Sequence, residues 1–563
     1  HSNEYFEGSM DDLRMWNSAL SSKDIGKIYR TSDPYGPNII VDANGNGDYT
    51  TIQAAIDNAT AGDYIRVWAG TYYERVEVDV ADLLIVGNGS SHTFVDAMND
   101  SYAFYVTSDN VTFKNLTTQH GKYGIYLYEN EECNLISIIS RWNAFGLYLD
   151  DSDDNLISYS SFVSNKNDTM FDDGYPTRGV FLTGQSRHNT FSHSNISDNG
   201  KSGSMGGDGM YFDDATYGTL IENCTFYFNV DSAINFQIIY GENIVSNSTF
   251  VQNGNGIGMY AAHDHIIENN IFRDNEVGLS VGYYCDDNII RNNIFESSDY
   301  YGVSVSGTTW AGQLSNENHI IDNKFRNNSY GLRVGSSAHN VFSINNTFSG
   351  SDNYDYYVAG DSTDYWDESS DLTSINSTFS TVYVNSYAEL IVKNYLTIKT
   401  QKSGSAFSDV DVKVTDNIDT LYSTSYFGGS DSKTDSNGLT SEILVTDRIY
   451  NGSSTATENI TSVQIYYISS ETRSVNMSTT HTEIFNLTFL IVDVNGNGDY
   501  TTIQDAIDNA TAGTTIKVWA GTYDESIEID TQLTLIGNGT STIINGTEDI
   551  DVIEISSTNV TIK

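Results

Sequence analysis

Four aromatic residues recur at one place in similar stretches of this chain, and acidic residues lie beside them. The stretches begin at Gly124, Gly146, Gly179 and Gly209 and read GIYLY, GLYLD, GVFLT and GMYFD. Alternate side chains of a strand share one face, so we expect one outward row of rings and a polar row beside it. The rings are Tyr126, Tyr148, Phe181 and Tyr211, and the neighbouring row is Tyr128, Asp150, Thr183, Asp213, Gln237 and Tyr260.

The chemistry that suits such a surface is carbohydrate binding. Aromatic rings cover the C–H faces of sugars, and carboxylates accept hydrogen bonds from sugar hydroxyls. We therefore predict polysaccharide binding by Tyr126, Tyr148, Asp150, Phe181, Tyr211, Asp213 and Tyr260. Two alternatives stay open: the rings only stabilise neighbouring strands, or they contact another protein. Two long insertions, 163–178 and 197–209, are expected to border the same face.

Catalysis by this face would require a pair of carboxyl groups. Asp150, Asp151, Asp173, Asp213 and Asp214 offer candidates for a hydrolase acid–base pair. Acidic pairs are common in so acidic a chain, however, and the motif series of polysaccharide hydrolases and esterases is not recognisable. We therefore expect that the chain is not an enzyme, and no catalytic residue is assigned.

Two short acidic loops resemble half of a calcium-binding loop. DANGNGD contributes Asp42, Asn44, Asn46 and Asp48, and DVNGNGD contributes Asp493, Asn495, Asn497 and Asp499. The twelfth position is Gln53 or Gln504, whereas an EF-hand needs a bidentate Glu there. Calcium is thus the one candidate cofactor, and a tight turn is the alternative. Candidate glycosylation sites are the sequons at Asn88, Asn451, Asn459 and Asn476.

Composition excludes several classes of protein. The chain has 563 residues, of which 27 are Lys or Arg and 75 are Asp or Glu, giving a formal charge of −48. Such a surface does not suit nucleic acid or anionic lipid. No apolar run approaches the ~18 residues of a membrane span. The three cysteines have no metal-site spacing.

Units of similar sequence follow one another along most of the chain, usually 22 to 24 residues apart. Each unit reads as three short strands separated by Gly, Asn and Asp turns, and such units must stack to bury their apolar faces. The pattern resembles the right-handed parallel β-helix family. Two Asn columns are expected at its turns, one before the second strand of each coil and one, including Asn115, Asn223, Asn247, Asn292 and Asn345, before the third.

The chain begins its main module twice. Residues 41–74 and 492–525 differ at only six of 34 positions, and each contains TTIQ followed by an amphipathic run. This start resembles pectin-methylesterase-like β-helix proteins, whose short helix covers the open end of the rod. The predicted fold is therefore all-β: a right-handed parallel β-helix with an N-terminal capping helix, a β-sandwich, and the start of a second β-helix.

Four segments follow from these patterns. Residues 1–36 contain GSMDDLRM and resemble the end of a laminin-G/concanavalin-A-like domain. Residues 37–383 form the first β-helix, and residues 490–563 begin the second. Residues 384–489 contain TDSNGLTSEILV and resemble the Ig-like, carboxypeptidase-regulatory-like sandwiches of archaeal surface proteins.

The resemblance to such modular proteins implies an extracellular, cell-surface protein with a structural or adhesive role. We expect the repeating subunit of a filament, sheath or surface layer, whose partners are copies of itself. The alternative is a polysaccharide-binding or polysaccharide-degrading β-helix enzyme that uses the aromatic face. A polysaccharide is then the second expected partner, and no nucleic acid or membrane span is expected.

Overall fold

A computed structural model describes residues 39–166, 176–200, 206–213, 216–307, 314–361, 369–546 and 551–563. The proposed laminin-G-like segment at residues 1–36 lies outside these ranges. The first module is a rod of stacked coils, each of which passes through three parallel sheets. The predicted fold class is confirmed.

Sheet 1 corresponds to the second strand of each repeat unit. Its strands pair in parallel along the rod, and they are Ile39–Val41, Tyr64–Val67, Leu84–Gly87, Thr112–Lys114, Asn134–Ile136, Leu156–Ser158, Thr190–Ser192, Leu220–Glu222, Ile244–Ser246, Ile266–Glu268, Ile289–Arg291, His319–Ile321, Val341–Ile344, Ser370–Ile375 and Ala388–Lys402.

Sheets 2 and 3 hold the third and first strands of each unit. Two long strands, Thr93–Val106 and Thr117–Tyr128, run through both sheets. The other strands of sheet 2 are Gly70–Tyr73, Ile139–Arg141, Ser161–Val163, Asn195–Ser197, Thr225–Tyr227, Thr249–Val251, Ile271–Arg273, Ile294–Glu296, Lys324–Arg326 and Thr347–Ser349. Those of sheet 3 are Val76–Val78, Phe145–Asp150, Arg178–Thr183, Met210–Asp213, Ser232–Tyr240, Asn255–His263, Val277–Gly282, Tyr301–Ser306, Tyr330–Val334, Tyr354–Val358 and Val382–Val384. A short ladder joins Ser315–Asn316 to Ala338–His339.

The interior of the rod contains a stack of phenylalanine rings from sheet 2. Centroids of successive rings lie 4.5–5.2 Å apart and their planes are within 17° of parallel. The members of this inner stack are Phe226, Phe250, Phe272, Phe295, Phe325 and Phe348. The stack explains part of the Gly repeat: a Cβ on Gly256 or Gly331 would lie 2.5 Å from Cδ1 of Phe272 or Phe348.

Asparagine side chains form hydrogen bonds between the coils. One of the two predicted Asn columns is displaced by one residue in the structure. Asn223, Asn247 and Asn292 adopt positive φ at the turns, as expected for Asn, yet their side chains are exposed. The amide ladder lies one residue later, where Asn293 Nδ2 donates to Asn323 Oδ1 at 3.1 Å. The residue that follows each of these positive-φ Asn residues is buried, and the Asn293 side chain bonds to the next coil.

A third Asn column, between sheets 2 and 3, was not predicted. Each side-chain amide donates to the next amide oxygen at 3.0–3.2 Å, and the column consists of Asn143, Asn165, Asn199, Asn229, Asn253 and Asn275. In the column before sheet 1, His265 replaces Asn, and its Nδ1 accepts from the Asn243 backbone N–H at 3.2 Å.

The capping helix predicted for the first module spans Ile52–Ile56. Its buried side chains are Ile52, Ala55 and Ile56, and Thr51 is the N-cap residue. Glu74 accepts hydrogen bonds from the backbone N–H groups of Ile52 and Gln53. The helix thus closes the rod with its apolar side and satisfies its free donors with a side chain from the first coil.

One strand joins the rod to the sandwich. Residues 388–393 of Ala388–Lys402 pair in parallel with Ser370–Ile375, and the remainder pairs with His481–Leu487. This sandwich sheet also contains Ser405–Ala406, Ile443–Asn451 and Thr457–Glu458. The facing sheet consists of Asp411–Thr415, Thr420–Ser423, Thr461–Tyr466 and Ser470–Val475, with a 3-10 turn at Ser425–Phe427.

The second rod repeats the first module. Its helix spans Ile503–Asp508, and Glu525 accepts from Ile503 and Gln504 as Glu74 does in the first rod. A 3-10 turn lies at Gly539–Ser541, and the strands are Phe489–Val492, Thr514–Val518, Gly521–Tyr523, Ile527–Ile529, Leu533–Ile536, Thr542–Ile544, Ile553–Ile555 and Thr561–Ile562.

Candidate functional site: the aromatic face of sheet 3

The outward rings of sheet 3 form one continuous column. Parallel pairing places Tyr126 beside Tyr148, Tyr148 beside Phe181, and Phe181 beside Tyr211. Tyr105 precedes them in the same register. The alternate residues Leu127, Leu149, Leu182 and Phe212 are fully buried. We call Tyr105, Tyr126, Tyr148, Phe181 and Tyr211 the aromatic column.

Tyr126, Tyr148, Phe181 and Tyr211 of the aromatic column meet edge to face, and Tyr105 is tilted by 50° against Tyr126. From Tyr126 to Tyr211 successive centroids are 5.0, 5.0 and 5.3 Å apart, with interplanar angles of 75–80°. This is the arrangement that the ring quadrupoles favour. Because the side chains are half-buried, the column presents alternating ring edges and faces to solvent, which suits a ligand with C–H groups.

A polar column runs beside the rings. Pairing places Tyr128 next to Asp150, Asp150 next to Thr183, and Gln237 between Asp213 and Tyr260. The Tyr126 hydroxyl donates to Asp150 Oδ2 at 3.0 Å, and the Tyr211 hydroxyl donates to Gln237 Oε1 at 2.7 Å. The two columns are therefore one hydrogen-bonded surface.

Tyr260 stands apart from the other six predicted sugar-binding residues. It lies two strands beyond Asp213 in the polar column and is 39% exposed. Its ring packs against Tyr283, at 4.9 Å between centroids, and not against the aromatic column. The structure thus groups Tyr126, Tyr148, Asp150, Phe181, Tyr211 and Asp213 and places Tyr260 at their margin.

Asp150 and Asp213 occupy equivalent positions two strands apart, with Thr183 between them. Two steps of ~4.8 Å place their Cα atoms about 10 Å from each other. Burial raises the pKa of Asp150 above its usual range, and the negative charges of Asp151 and Glu129 add to this effect, whereas the hydrogen bond from Tyr126 lowers it. Asp151 instead accepts from the Gln185 backbone N–H. Asp173 and Asp214 lie outside the described residues.

A buried charge pair contacts the rings, and the sequence did not predict it. The Arg178 guanidinium lies 3.7 Å from the Tyr211 ring centroid and 4.7 Å from that of Phe181. Its Nε is 3.4 Å from Oδ2 of Asp208, whose side chain is completely buried. Burial raises the pKa of Asp208 to about 6, although Arg178 opposes that shift.

Arg178 and Asp208 lie near the ends of the two long insertions, so sequence spacing does not connect them, and residues 167–175 and 201–205 of the insertions lie outside the described residues. The available signal was that two successive units have a charged residue, Arg178 or Asp208, directly before their first Gly, where the other units have an uncharged residue. The pair thus packs a buried guanidinium against the rings of Phe181 and Tyr211.

The proposed calcium loops use their acidic residues as hydrogen-bond acceptors. Asp42 accepts from the backbone and side-chain N–H groups of Asn44 and Asn46, and these bonds lower its pKa. Asp493 accepts from Asn495 and Asn497 in the same way. Asp48 and Asp499 accept from the backbone N–H of Ile40 and Ile491. Among the residues that the structure describes, no three His, Cys, Asp or Glu side chains are grouped as metal ligands.

The predicted glycosylation sites differ in accessibility. Asn88, Asn451 and Asn476 are exposed. The Asn459 amide is engaged at both ends, since it donates to the Thr446 carbonyl and accepts from the Asn417 backbone N–H. Glycan attachment at the four sites stays a prediction.

Comparison with known proteins identifies the fold of the rod. Residues 80–205 and 178–348 match the family model described as a right handed beta helix region. The rod is a right-handed parallel β-helix. None of the helices in the described part of the chain has the length and apolar character needed to cross a membrane.

Several solved structures are similar to this β-helix. The A-module of an Azotobacter vinelandii mannuronan C-5 epimerase is 14% identical, with a TM-score of 0.45, over 59% of this chain and 94% of that one. A PL6 family alginate lyase is 15% identical, with a TM-score of 0.46, over 90% and 70%. A GH87 alpha-1,3-glucanase from Streptomyces thermodiastaticus is 14% identical, with a TM-score of 0.45, over 59% and 66%. At these identities the likeness concerns the fold.

A curated protein matches in sequence as well. It is a probable pectinesterase from Arabidopsis thaliana, 36% identical over 90 residues, which are 14% of this chain and 27% of that protein. The chain thus spans about a quarter of this relative. The prediction that the chain is not an enzyme was wrong by this comparison, because the matched relative is a probable pectinesterase.

Proposed function

We propose that the chain binds a polysaccharide on the aromatic column and acts on its glycosidic bonds. The observation that carries this proposal is the unbroken row of half-exposed rings beside the polar column, in which Asp150 and Asp213 face the same side. Rings and carboxylates side by side match a sugar chain, which has C–H faces and hydroxyl edges.

The acid pair supports hydrolysis with inversion. Asp150, whose pKa is raised, is the general acid that donates a proton to the leaving glycosidic oxygen. Asp213 is the base that takes a proton from the water attacking the anomeric carbon. Inverting glycosidases hold their carboxyl groups ~6.5–9.5 Å apart, a range that side chains on Cα atoms about 10 Å apart can reach. Each turnover consumes one water and leaves both groups ready for proton exchange with solvent.

Retention and cleavage test the two parts of this proposal separately. We expect Tyr148→Ala with Tyr211→Ala to abolish retardation of the protein in gels containing soluble polysaccharide. We expect Asp150→Asn to keep that retardation and to lose release of reducing ends. Tyr227→Ala is the matched control, because Tyr227 is an outward tyrosine of sheet 2 with 39% exposure.

Two outcomes decide against the proposal. If the unmodified protein is retarded by no polysaccharide, the aromatic column is an interface or a stabilising ladder. If polysaccharide is retained but neither the unmodified protein nor the Asp150→Asn variant releases reducing ends, the face binds without hydrolysis.

A structural role is the second candidate, and a specific observation favours it. Because Ala388–Lys402 is shared by the rod and the sandwich, bending at that junction would require breaking sheet hydrogen bonds. Such a stiff connection suits a filament, sheath or surface layer. Electron microscopy of native particles tests this role: regular arrays support it, and dispersed single rods contradict it.

A further inference from the structure

A second group of tyrosines lies on the same face, near the sandwich. Ring centroids are 5.3 Å apart for Tyr301 and Tyr330, 5.4 Å for Tyr330 and Tyr357, and 4.9 Å for Tyr357 and Tyr383. Tyr354 contacts Tyr383 at 5.5 Å. All five side chains are half-buried, whereas the alternate residues of these strands face the core. We call Tyr301, Tyr330, Tyr354, Tyr357 and Tyr383 the second platform.

The aromatic column and two residues of the second platform, Tyr357 and Tyr383, lie on one line, and Tyr301, Tyr330 and Tyr354 lie beside it. Strand pairing continues in a single register from Tyr211 to Tyr383. The positions between Tyr211 and Arg333 carry small or polar residues, which form a saddle: Asn235, Gly258, Ser280 and Ser304. The complete line from Tyr105 to Tyr383 has eleven steps of ~4.8 Å, or about 50 Å.

The order of features along the rod, with rings at both ends and the saddle between them, suits one extended ligand. Large side chains at both ends raise the surface, and the absence of a side chain on Gly258 lowers it between them. The amide of Asn235 and the hydroxyl of Ser280 offer hydrogen bonds along the saddle.

The charges on and around this line favour an uncharged ligand. The chain carries a formal charge of −48, so an anionic polymer is repelled as it approaches. Two arginines offset this only in part, since Arg178 beside the line pairs with buried Asp208, and Arg333, whose Nη1 donates to Ser304 Oγ at 3.0 Å, adds a single positive charge to the line. Asp150 and Asp213 accept hydrogen bonds from neutral hydroxyls.

We propose that the aromatic column and the second platform bind one uncharged polysaccharide chain that lies along the rod axis across the saddle. This inference rests on the proposed function and adds the polymer's direction, its class and the requirement for length. A short oligosaccharide covers one group of rings, whereas a polymer covers both. Binding at the second group is then intramolecular and raises the overall affinity by about 10²–10⁴-fold.

The first experiment selects the ligand class with the intact chain. Gel retardation in the cold is measured with xyloglucan and galactomannan, which are uncharged, and with alginate and polygalacturonate, which are anionic. We expect retardation by at least one uncharged polymer and weaker retardation by the anionic ones at low salt. Stronger binding of the anionic polymers overturns the proposed class, and retention of none overturns the proposed function as well.

The second experiment tests the shared ligand with the retained polymer and its short oligosaccharides. Tyr357→Ala with Tyr383→Ala is expected to lower polymer affinity about 100-fold, to the level of the oligosaccharide. Ser280→Leu, which fills the saddle without touching either ring group, is expected to remove the polymer's advantage over the oligosaccharide. Tyr227→Ala is again the control.

The results separate the two proposals. If Tyr148→Ala with Tyr211→Ala abolishes binding but the second-platform and saddle variants bind polymer normally, the aromatic column acts alone and the shared-ligand inference is wrong. Equal affinity for short and long chains leads to the same conclusion. Circular dichroism of each variant confirms that the β-helix is folded.

Discussion

The inner stack and the aromatic column are both built from rings on parallel strands, yet they differ in geometry. Inner rings lie within 17° of parallel and are buried, whereas outer rings meet at 75–80° and are half-exposed. Strand spacing sets the ring distance in both. Burial alone does not set the angle, because the fully buried rings of Phe104 and Phe113 meet at 61°.

This difference separates a structural element from a candidate binding surface. An inner ring has neighbours on both faces and leaves a cavity when removed. An outer ring leaves only a notch open to water. Substitutions in the inner stack are therefore expected to reduce stability, and substitutions in the aromatic column are expected to reduce binding. Four experiments test this difference, in order from the largest expected effect to the smallest.

Phe272→Ala addresses the inner stack. Phe272 is fully buried, with Phe250 at 4.6 Å and Phe295 at 4.7 Å. The lost burial and the resulting cavity are expected to reduce the free energy of unfolding by ~3–5 kcal/mol. Chemical denaturation measures this loss. If Phe272→Ala reduces the free energy of unfolding less than substitution of an outward ring does, the inner stack is not the main structural element.

His265→Asn examines whether the interior tolerates charge. Burial, together with His263, lowers the pKa of His265 to about 3. The folded rod therefore holds His265 neutral, and its stability is complete above pH ~6.5 and declines as the pH falls toward 3. At pH 5 the loss is about 2 kcal/mol.

An Asn at position 265 does not titrate and continues the amide column between Asn243 and Asn288. We expect the variant to be more stable than the parent at pH 5 and similar to it at pH 8, as measured by thermal midpoints. The same pH dependence in parent and variant would contradict the buried neutral state. His92→Asn, at an exposed turn, is the control.

Tyr148→Ala gives the corresponding value for the outer column. Tyr148 contacts Tyr126, Phe181, Phe145 and Tyr123, but its ring remains half-exposed. We expect a loss of ~1–2 kcal/mol, measured by the same denaturation as for Phe272→Ala. A loss equal to that of the inner ring would favour the stabilising-ladder interpretation of the outer column.

Tyr126→Phe has the smallest expected effect, because it removes one hydroxyl. The Tyr126 hydrogen bond lowers the pKa of Asp150, so its loss is expected to raise that pKa further, as followed by NMR titration of the carboxyl carbon. Tyr211→Phe, whose hydroxyl bonds Gln237, is expected to leave the Asp150 titration in place. A downward shift for Tyr126→Phe would mean that the two side chains are not bonded in solution.

The face and its outward residues were predictable because they depend on local patterns. Alternation within GLYLD and GVFLT places Tyr148 and Phe181 outward whatever the coil above contains. The capping helix was equally local, since Ile52, Ala55 and Ile56 have helical spacing. The chemistry of the surface was harder to predict, and the expectation of a non-enzyme was wrong because a row of rings and acids does not by itself distinguish binding from catalysis.

By itself the sequence determined the stacked-strand rod, its cap, its duplicated start and the outward direction of the rings, since each follows from a period or a short motif. Only the tertiary structure decided which residues meet across coils. The repeat length varies with the insertions, so register between coils is set by pairing and not by counting. That pairing brought Arg178 against Tyr211 and Asp208, placed the Asn ladder one residue later than predicted, and aligned the distant Tyr383 with Tyr105 along a single line.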